Sequence, residues 1–169
     1  MPKEKKETPD KKKEVQAEPE MAPKDGISYY EAVGRRKVAS ARVRLYVVPG
    51  ESVTIGGVTL GKGAMQVNGK EVEKYFPGEV WKKMYLEPYR TTNTIGRFAT
   101  SAKVTGGGLA GQLVAVIHGV SRALVKVDAE KFRPILKKRG FLTRDPRAKQ
   151  RRKAGYAGKA RARKQSPKR

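Results

Sequence analysis

The chain of 169 residues contains no cysteine and a single histidine, His118. Without cysteine there are no disulfides and no thiolate metal sites, and nothing suggests a secreted disulfide scaffold. A lone histidine is a poor start for acid–base catalysis or metal binding, because the ring needs an orienting partner. Nearby Asp128 lies too many helical turns away to serve. The other acids are too scattered to form a carboxylate pair, and Ser101 and Ser121 sit in no nucleophile-like context. No apolar run approaches the ~20 residues needed to span a bilayer. The first residues lack the apolar stretch of a signal peptide and carry too many acids for a mitochondrial transit peptide. These absences make the expectation a cytoplasmic protein that is neither an enzyme nor bound to a membrane, with no cofactor and no metal.

What is present in excess is positive charge. The formal net charge is +23 and the sequence pI about 10.4, so self-repulsion opposes folding until a polyanion neutralises it. With membrane set aside, nucleic acid leads. The charge is unevenly placed. Residues 1–25 hold seven Lys and seven Asp or Glu and sum to zero, whereas residues 147–169 hold eleven Lys or Arg and no acid.

Patterning divides the chain into three. Residues 1–26 alternate Lys with Glu around Pro9, Pro19 and Pro23 and have almost nothing to bury, the composition of a disordered, solvated extension. Residues 27–143 carry the periodic signals of a small α/β domain. Val43, Leu45 and Val47 alternate with Arg42, Arg44 and Tyr46, a half-buried strand ended by Pro49-Gly50. Val53 to Leu60 reads as a short strand or hairpin, and Met65 and Val67 with Asn68-Gly69 as another strand and its turn. Residues 71–86 show helical spacing broken at Pro77-Gly78, which predicts two short helices. Phe98 to Val104 reads as a strand with Ala102 and Val104 inward. Leu109, Leu113, Val116, Ile117, Val120, Leu124 and Val127 form an amphipathic helix. Asp128 suits the N-cap of a following helix through Phe132, Ile135 and Leu136, and Gly140 its C′ position. Residues 144–169 lose their apolar content, with Tyr156 the one large exception, so order there must come from a partner.

Four features carry candidate chemistry. Gly106-Gly107-Gly108-Leu109-Ala110-Gly111 satisfies G-x-G-x-x-G, but a dinucleotide site needs a second strand ending in its acid. Here a helix runs into Asp128 and another follows, so nucleotide binding is set aside. The glycines then allow a tight strand-to-helix turn, or let an RNA phosphate approach the helix N-terminus, or both. Arg35, Arg36, Lys37, Arg42 and Arg44 form a patch with no acid between Arg35 and Arg44, which favours phosphate contact. His118 is expected on a helix surface facing RNA or solvent. In the tail, Arg147, Lys149, Arg151, Arg152, Lys153, Lys159, Arg161, Arg163, Lys164, Lys168 and Arg169 are spaced mostly by Ala, Gly and Gln. Such a segment can lie extended in a narrow groove, each neutralised phosphate releasing counterions. A free RNA chaperone or condenser would explain the charge but not the patterned domain.

Three blocks carry a family resemblance. Gly34-Arg35-Arg36-Lys37 followed by Ala41-Arg42-Val43 is the first. Val104-Thr105-Gly106-Gly107-Gly108, Gly111-Gln112 and His118-Gly119-Val120-Ser121-Arg122-Ala123-Leu124 make the second. Gly140-Phe141-Leu142-Thr143-Arg144-Asp145-Pro146-Arg147, leading to Lys168-Arg169, is the third. In this order they resemble small-subunit ribosomal protein S9 of the bacterial type.

The resemblance implies an α+β fold like the second domain of ribosomal protein S5. That fold is a small four-stranded sheet with helices packed on one face, an unusual left-handed β-α-β crossover and a long extended basic tail. It implies a structural constituent of the small-subunit head on the cytoplasmic ribosome. The implied partners are small-subunit ribosomal RNA, peptidyl-site tRNA and neighbouring head proteins, with no homo-oligomer. By position, the implied RNA contacts include Gln112, Arg122 and Arg144 beside the residues above, and Lys168 and Arg169 fall to tRNA. The chain departs from the family pattern in Gln165-Ser166-Pro167 where Phe-Ser is usual, in Ile117 where arginine is common, and in an insertion over 51–64. The 1–25 extension is also extra.

Overall fold

A computed structural model describes residues 28–55, 58–151 and 154. The helical stripe that begins at Leu109 folds as α3 (Leu109–Val127), whose buried side includes Leu113, Val116, Ile117, Val120 and Leu124. Taking each of these side chains out of water stabilises the fold by roughly 1.5–3 kcal/mol. Its length and mean hydropathy would suit a membrane span, but half of that window is buried inside the domain, as expected of a core helix.

The surface that α3 covers is a mixed sheet. Strands β1 (Tyr29–Arg36), β2 (Ala39–Val47), β5 (Met65–Val67), β6 (Lys70–Glu71) and β7 (Phe98–Thr105) lie in the order β1-β2-β7-β5-β6. A separate hairpin joins β3 (Ser52–Ile55) to β4 (Val58–Gly61). The sheet therefore has five strands, where the resemblance implied four. The fifth is the two-residue β6, brought back onto β5 by the left-handed turn at Asn68 and Gly69, at φ 50° and 79°. All neighbours are antiparallel except β5 and β7.

Period-two alternation sorts the strands into two faces. Ala32, Ala39, Ala41, Val43, Leu45, Val67, Phe98, Ala102 and Val104 join α3 in the main core. Helices α1 (Val72–Tyr75), α2 (Glu79–Thr91) and α4 (Ala129–Lys138) add Phe76, Tyr85, Tyr89, Phe132 and Leu136. The break at Pro77-Gly78 falls as expected, with Gly78 at φ 112°. Buried Tyr89 anchors α2 to the sheet through a 2.7 Å hydroxyl contact with Thr100.

The alternation of faces along β2 holds to its end, but the expected exposure there is reversed. Tyr46 is 4% exposed and Val47 40%, the reverse of the exposure drawn from Val43 and Leu45. The hairpin β3–β4 causes this, because Val53 and Leu60 cover Tyr46, Val48 and Ala99 on the opposite face and form a second, smaller core.

Helix ends follow their sequence signals. Asp128 accepts a 3.0 Å hydrogen bond from the Lys131 N–H and caps α4. At the other end Gly140, at φ 77°, sends its N–H to Lys137 while the Phe141 N–H reaches Leu136. This paired closure stops the helix and turns the chain toward the tail.

Candidate nucleic-acid interface

The first group of candidate residues gathers at one end of the sheet, where β1 turns into β2. Lys37 occupies the turn at φ 52° and is exposed. The glycine run packs against this turn. A side chain at Gly106 would bring its Cβ to 2.8 Å from the Val38 carbonyl oxygen, and one at Gly107 to 3.0 Å from the Ala39 Cβ. Both residues have positive φ, 72° and 67°, so they meet the conformational need foreseen for a tight turn. Gly108 stands in open space at the N-cap of α3, where no side chain caps the helix. The first-turn N–H groups are thus of the kind that suits an anion. Gln112 is occupied within the domain: its Nε2 donates to the Gly106 carbonyl at 3.1 Å and its Oε1 accepts from the Tyr75 hydroxyl at 2.9 Å.

A second group lies on the face of the sheet turned away from α3. Arg42 and Arg44 project there from β2, and Lys103 pairs with Arg42 directly across from β7. Ser40 and Thr105 share a 3.2 Å hydroxyl contact beside them. The sequence patch contains no acid between Arg35 and Arg44, yet Glu31 of β1 lies 3.4 Å from Arg42 and 2.7 Å from Arg44. Strand pairing supplies a carboxylate that linear spacing hides. Arg44 also sits 5.0 Å over the Tyr29 ring, a cation–π geometry. Lys103 is a cation that the sequence reading omitted. Its signal was there, since it lies between inward Ala102 and Val104 and must point outward.

The third group lines a concavity at the outer edge of β1, formed by Val33, Arg35, His118, Arg122, Leu142 and Arg144. Two of its side chains close edge-strand backbone groups. The Arg35 N–H donates to His118 Nδ1 at 3.3 Å, and Arg122 donates to the Val33 carbonyl at 2.5 Å. His118, expected on a helix surface facing RNA or solvent, is half-buried, with its Nδ1 taken by the edge of β1. Its pKa is lowered from 6.5, first by burial and next by the Arg122 guanidinium.

The root of the tail runs along this edge toward the β1–β2 turn. Phe141 and Leu142 pack on the main core. Asp145 then meets Arg36 at 2.9 Å, and the other Arg36 nitrogen donates to the Arg147 carbonyl at 2.7 Å. Arg36 was expected to meet phosphate, but it is taken up by the chain itself. The Arg147 guanidinium grips the same carboxylate at 2.7 Å and is otherwise exposed. Lys149 and Arg151 are exposed as well. Arg152, Lys153, Lys159, Arg161, Arg163, Lys164, Lys168 and Arg169 lie outside the described residues, as does the extension 1–26. Among the described residues no group of three or more His, Asp or Glu could hold a metal.

Cations in three groups set on rigid elements, at the β1–β2 turn, on the open face of the sheet and along the edge of β1 where the tail departs, define a basic α+β domain. Comparison with known proteins gives the family. A family model described as ribosomal protein S9/S16 matches residues 34–169. The small ribosomal subunit protein uS9 of Maridesulfovibrio salexigens is 46% identical over 138 residues, 82% of this chain and 95% of the relative. The protein of the same name from Thermotoga petrophila is 47% identical over 139 residues, 80% of this chain and 92% of the relative. The chain belongs to the ribosomal protein S9 family. It is a ribosomal protein of the cytoplasmic ribosome and not an enzyme.

Proposed function

We propose that this protein is a structural constituent of the small-subunit head, docking its domain on ribosomal RNA and threading its tail through that RNA to peptidyl-site tRNA. The observation that carries the reading is convergence. Lys37, the Gly106–Gly108 turn, the uncapped start of α3 and the root of the tail all meet at one end of the domain. In this reading Arg35, Lys37, Arg42, Arg44, Lys103, Arg122 and Arg144 contact phosphates of the folded RNA, which positions the domain without reading sequence. The domain is the part from 27 to 143. The tail from 144 onward is the stem, and Lys168 and Arg169 hold tRNA phosphates. Neighbouring head proteins complete the surroundings, and the chain acts as a single copy.

The left-handed β-α-β crossover belongs to the same reading. The Thr100 N–H donates to the Ala64 carbonyl, and the Ala102 carbonyl accepts from the Asn68 N–H. Both residues turn their side chains toward the helices. For L-residues this sets β5 to the right of an upward-running β7 seen from the helix side. The path from β5 over α1 and α2 to β7 then moves leftward, which supports the left-handed form.

Removal of residues 167–169 tests the tRNA role in assembled small subunits. Subunit yield on a sucrose gradient is expected to stay unchanged while retention of tRNA in the peptidyl site falls. Unchanged tRNA retention would sink the role of the terminal pair.

A further inference from the structure

Between Lys131 and Arg169 the sequence holds a single acid, Asp145. A carboxylate in the middle of an RNA-seeking segment subtracts from its attraction for phosphate, so its presence asks for another role. Its surroundings supply one. Asp145 Oδ2 stands 2.9 Å from Arg36 Nη2 and 2.7 Å from Arg147 Nη2, and Oδ1 accepts the Arg147 backbone N–H at 3.0 Å. Arg36 closes the ring by donating through Nη1 to the Arg147 carbonyl at 2.7 Å. The Arg36 and Asp145 side chains are only 16% and 27% exposed, so solvent screens their contact far less than it screens the outward Arg147 head, at 84%. The intervening Pro146 fixes its own φ and restricts Asp145 to extended backbone.

We infer that Asp145 is a positioning residue for the basic tail: held between Arg36 of β1 and Arg147, it fixes the direction in which the chain beyond Arg147 leaves the domain. This rests on the proposed role of the tail in binding RNA. Arg36 grips the segment twice, once by a side chain and once by a main-chain carbonyl, so residues 145–147 cannot rotate about one contact. The tail is thereby launched from the same end of the domain as Lys37 and the Gly106–Gly108 turn. A tail already aimed along its binding groove loses less freedom on binding than one that swings.

The absence of cysteine makes the direct measurement clean. Spin labels placed by Val38→Cys and Ala148→Cys in the full-length chain, both at exposed positions, report the separation between the β1–β2 turn and the tail root. A narrow distance distribution is expected. Asp145→Asn should broaden it about twofold or more while the melting temperature of the domain moves little, since the main core is untouched. High salt should broaden the unsubstituted chain in the same direction. Equal widths with and without Asp145, and no response to salt, would overturn the inference.

Association with small-subunit RNA gives the functional arm. Asp145→Asn is expected to slow it about three- to tenfold despite removing a negative charge; faster association would mean that the acid is only a brake on binding, and would also overturn the inference. A chain ending at Arg147 serves as control. If it associates as well as the full chain, the reading of the tail fails, while the spin-label distances still decide the clasp on their own.

Discussion

The two faces of the sheet are built from alternate residues of the same strands, yet they obey different rules. On the helix side, Ala39, Ala41, Val43 and Leu45 of β2 are buried under α3 and tolerate no charge. One residue along from the first three, Ser40, Arg42 and Arg44 stand on the other face, where Arg42 even lies directly across from Lys103. Like charges placed opposite one another oppose sheet formation. Most of the buried apolar surface thus lies on one face, with the smaller core under the β3–β4 hairpin on the other. The open part of that second face can carry repulsion because the cores supply a surplus. This division leaves the cationic face largely free of the demands of folding.

The comparison breaks most severely on the helix side at Gly34. This residue of β1 faces α3 so closely that an added Cβ would lie 1.9 Å from the Ala115 carbonyl oxygen and 2.3 Å from the Gly119 nitrogen. Both obstacles are backbone, and neither can rotate aside. Gly34→Ala is expected to destabilise the domain by about 3 kcal/mol or more, since relief requires separating strand from helix. Thermal or urea unfolding followed by circular dichroism reads the loss. A melting temperature within a degree of the parent would mean that α3 sits farther from β1 than described.

The helix side was also the more legible in sequence. A helix of 19 residues with apolar positions three and four apart, an Asp cap and a Gly stop are local signals, and α3 and α4 follow them closely. What escaped is what distant residues decide. Tyr46 is buried on the open face because the β3–β4 hairpin comes to cover it. Pro88 sits within α2, which runs on to Thr91 because buried Tyr85 and Tyr89 tie both sides of the proline to the core. For the candidate interface, the basic residues themselves were plain. Their partners were not, because Glu31 reaches Arg42 and Arg44 through strand pairing and Asp145 reaches Arg36 across more than a hundred residues.

The edge of β1 joins the two faces, and pH sharpens its role. His118 covers an edge N–H while half-buried beside Arg122, and its pKa lies below the ordinary 6.5. A group with a lowered folded-state pKa contributes stability above its unfolded value. As pH falls below about 6.5 the unfolded chain takes up the proton first, and that contribution disappears as pH passes through the folded-state value. Unfolding free energy should therefore decline from pH 7 toward pH 5.5, and His118→Gln should flatten that slope. An identical slope in the variant would place its origin elsewhere.

The smallest effect on folding is expected where the cationic face is most crowded. Lys103→Gln removes one member of the facing Arg42–Lys103 pair. On stability alone the change should be neutral or favourable by a few tenths of a kcal/mol, because cross-strand repulsion is relieved and no apolar area is lost. Its effect on RNA binding should have the opposite sign. If Lys103 neutralises one phosphate, the slope of log affinity against log salt flattens by about 0.7–0.9, with binding weakened most at low salt. A gain in folding stability together with a loss of salt-dependent affinity, measured on one variant, would separate the work of the two faces within a single strand. An unchanged salt slope would remove Lys103 from the interface and confine the open face to Arg42 and Arg44, whose charges Glu31 already offsets in part.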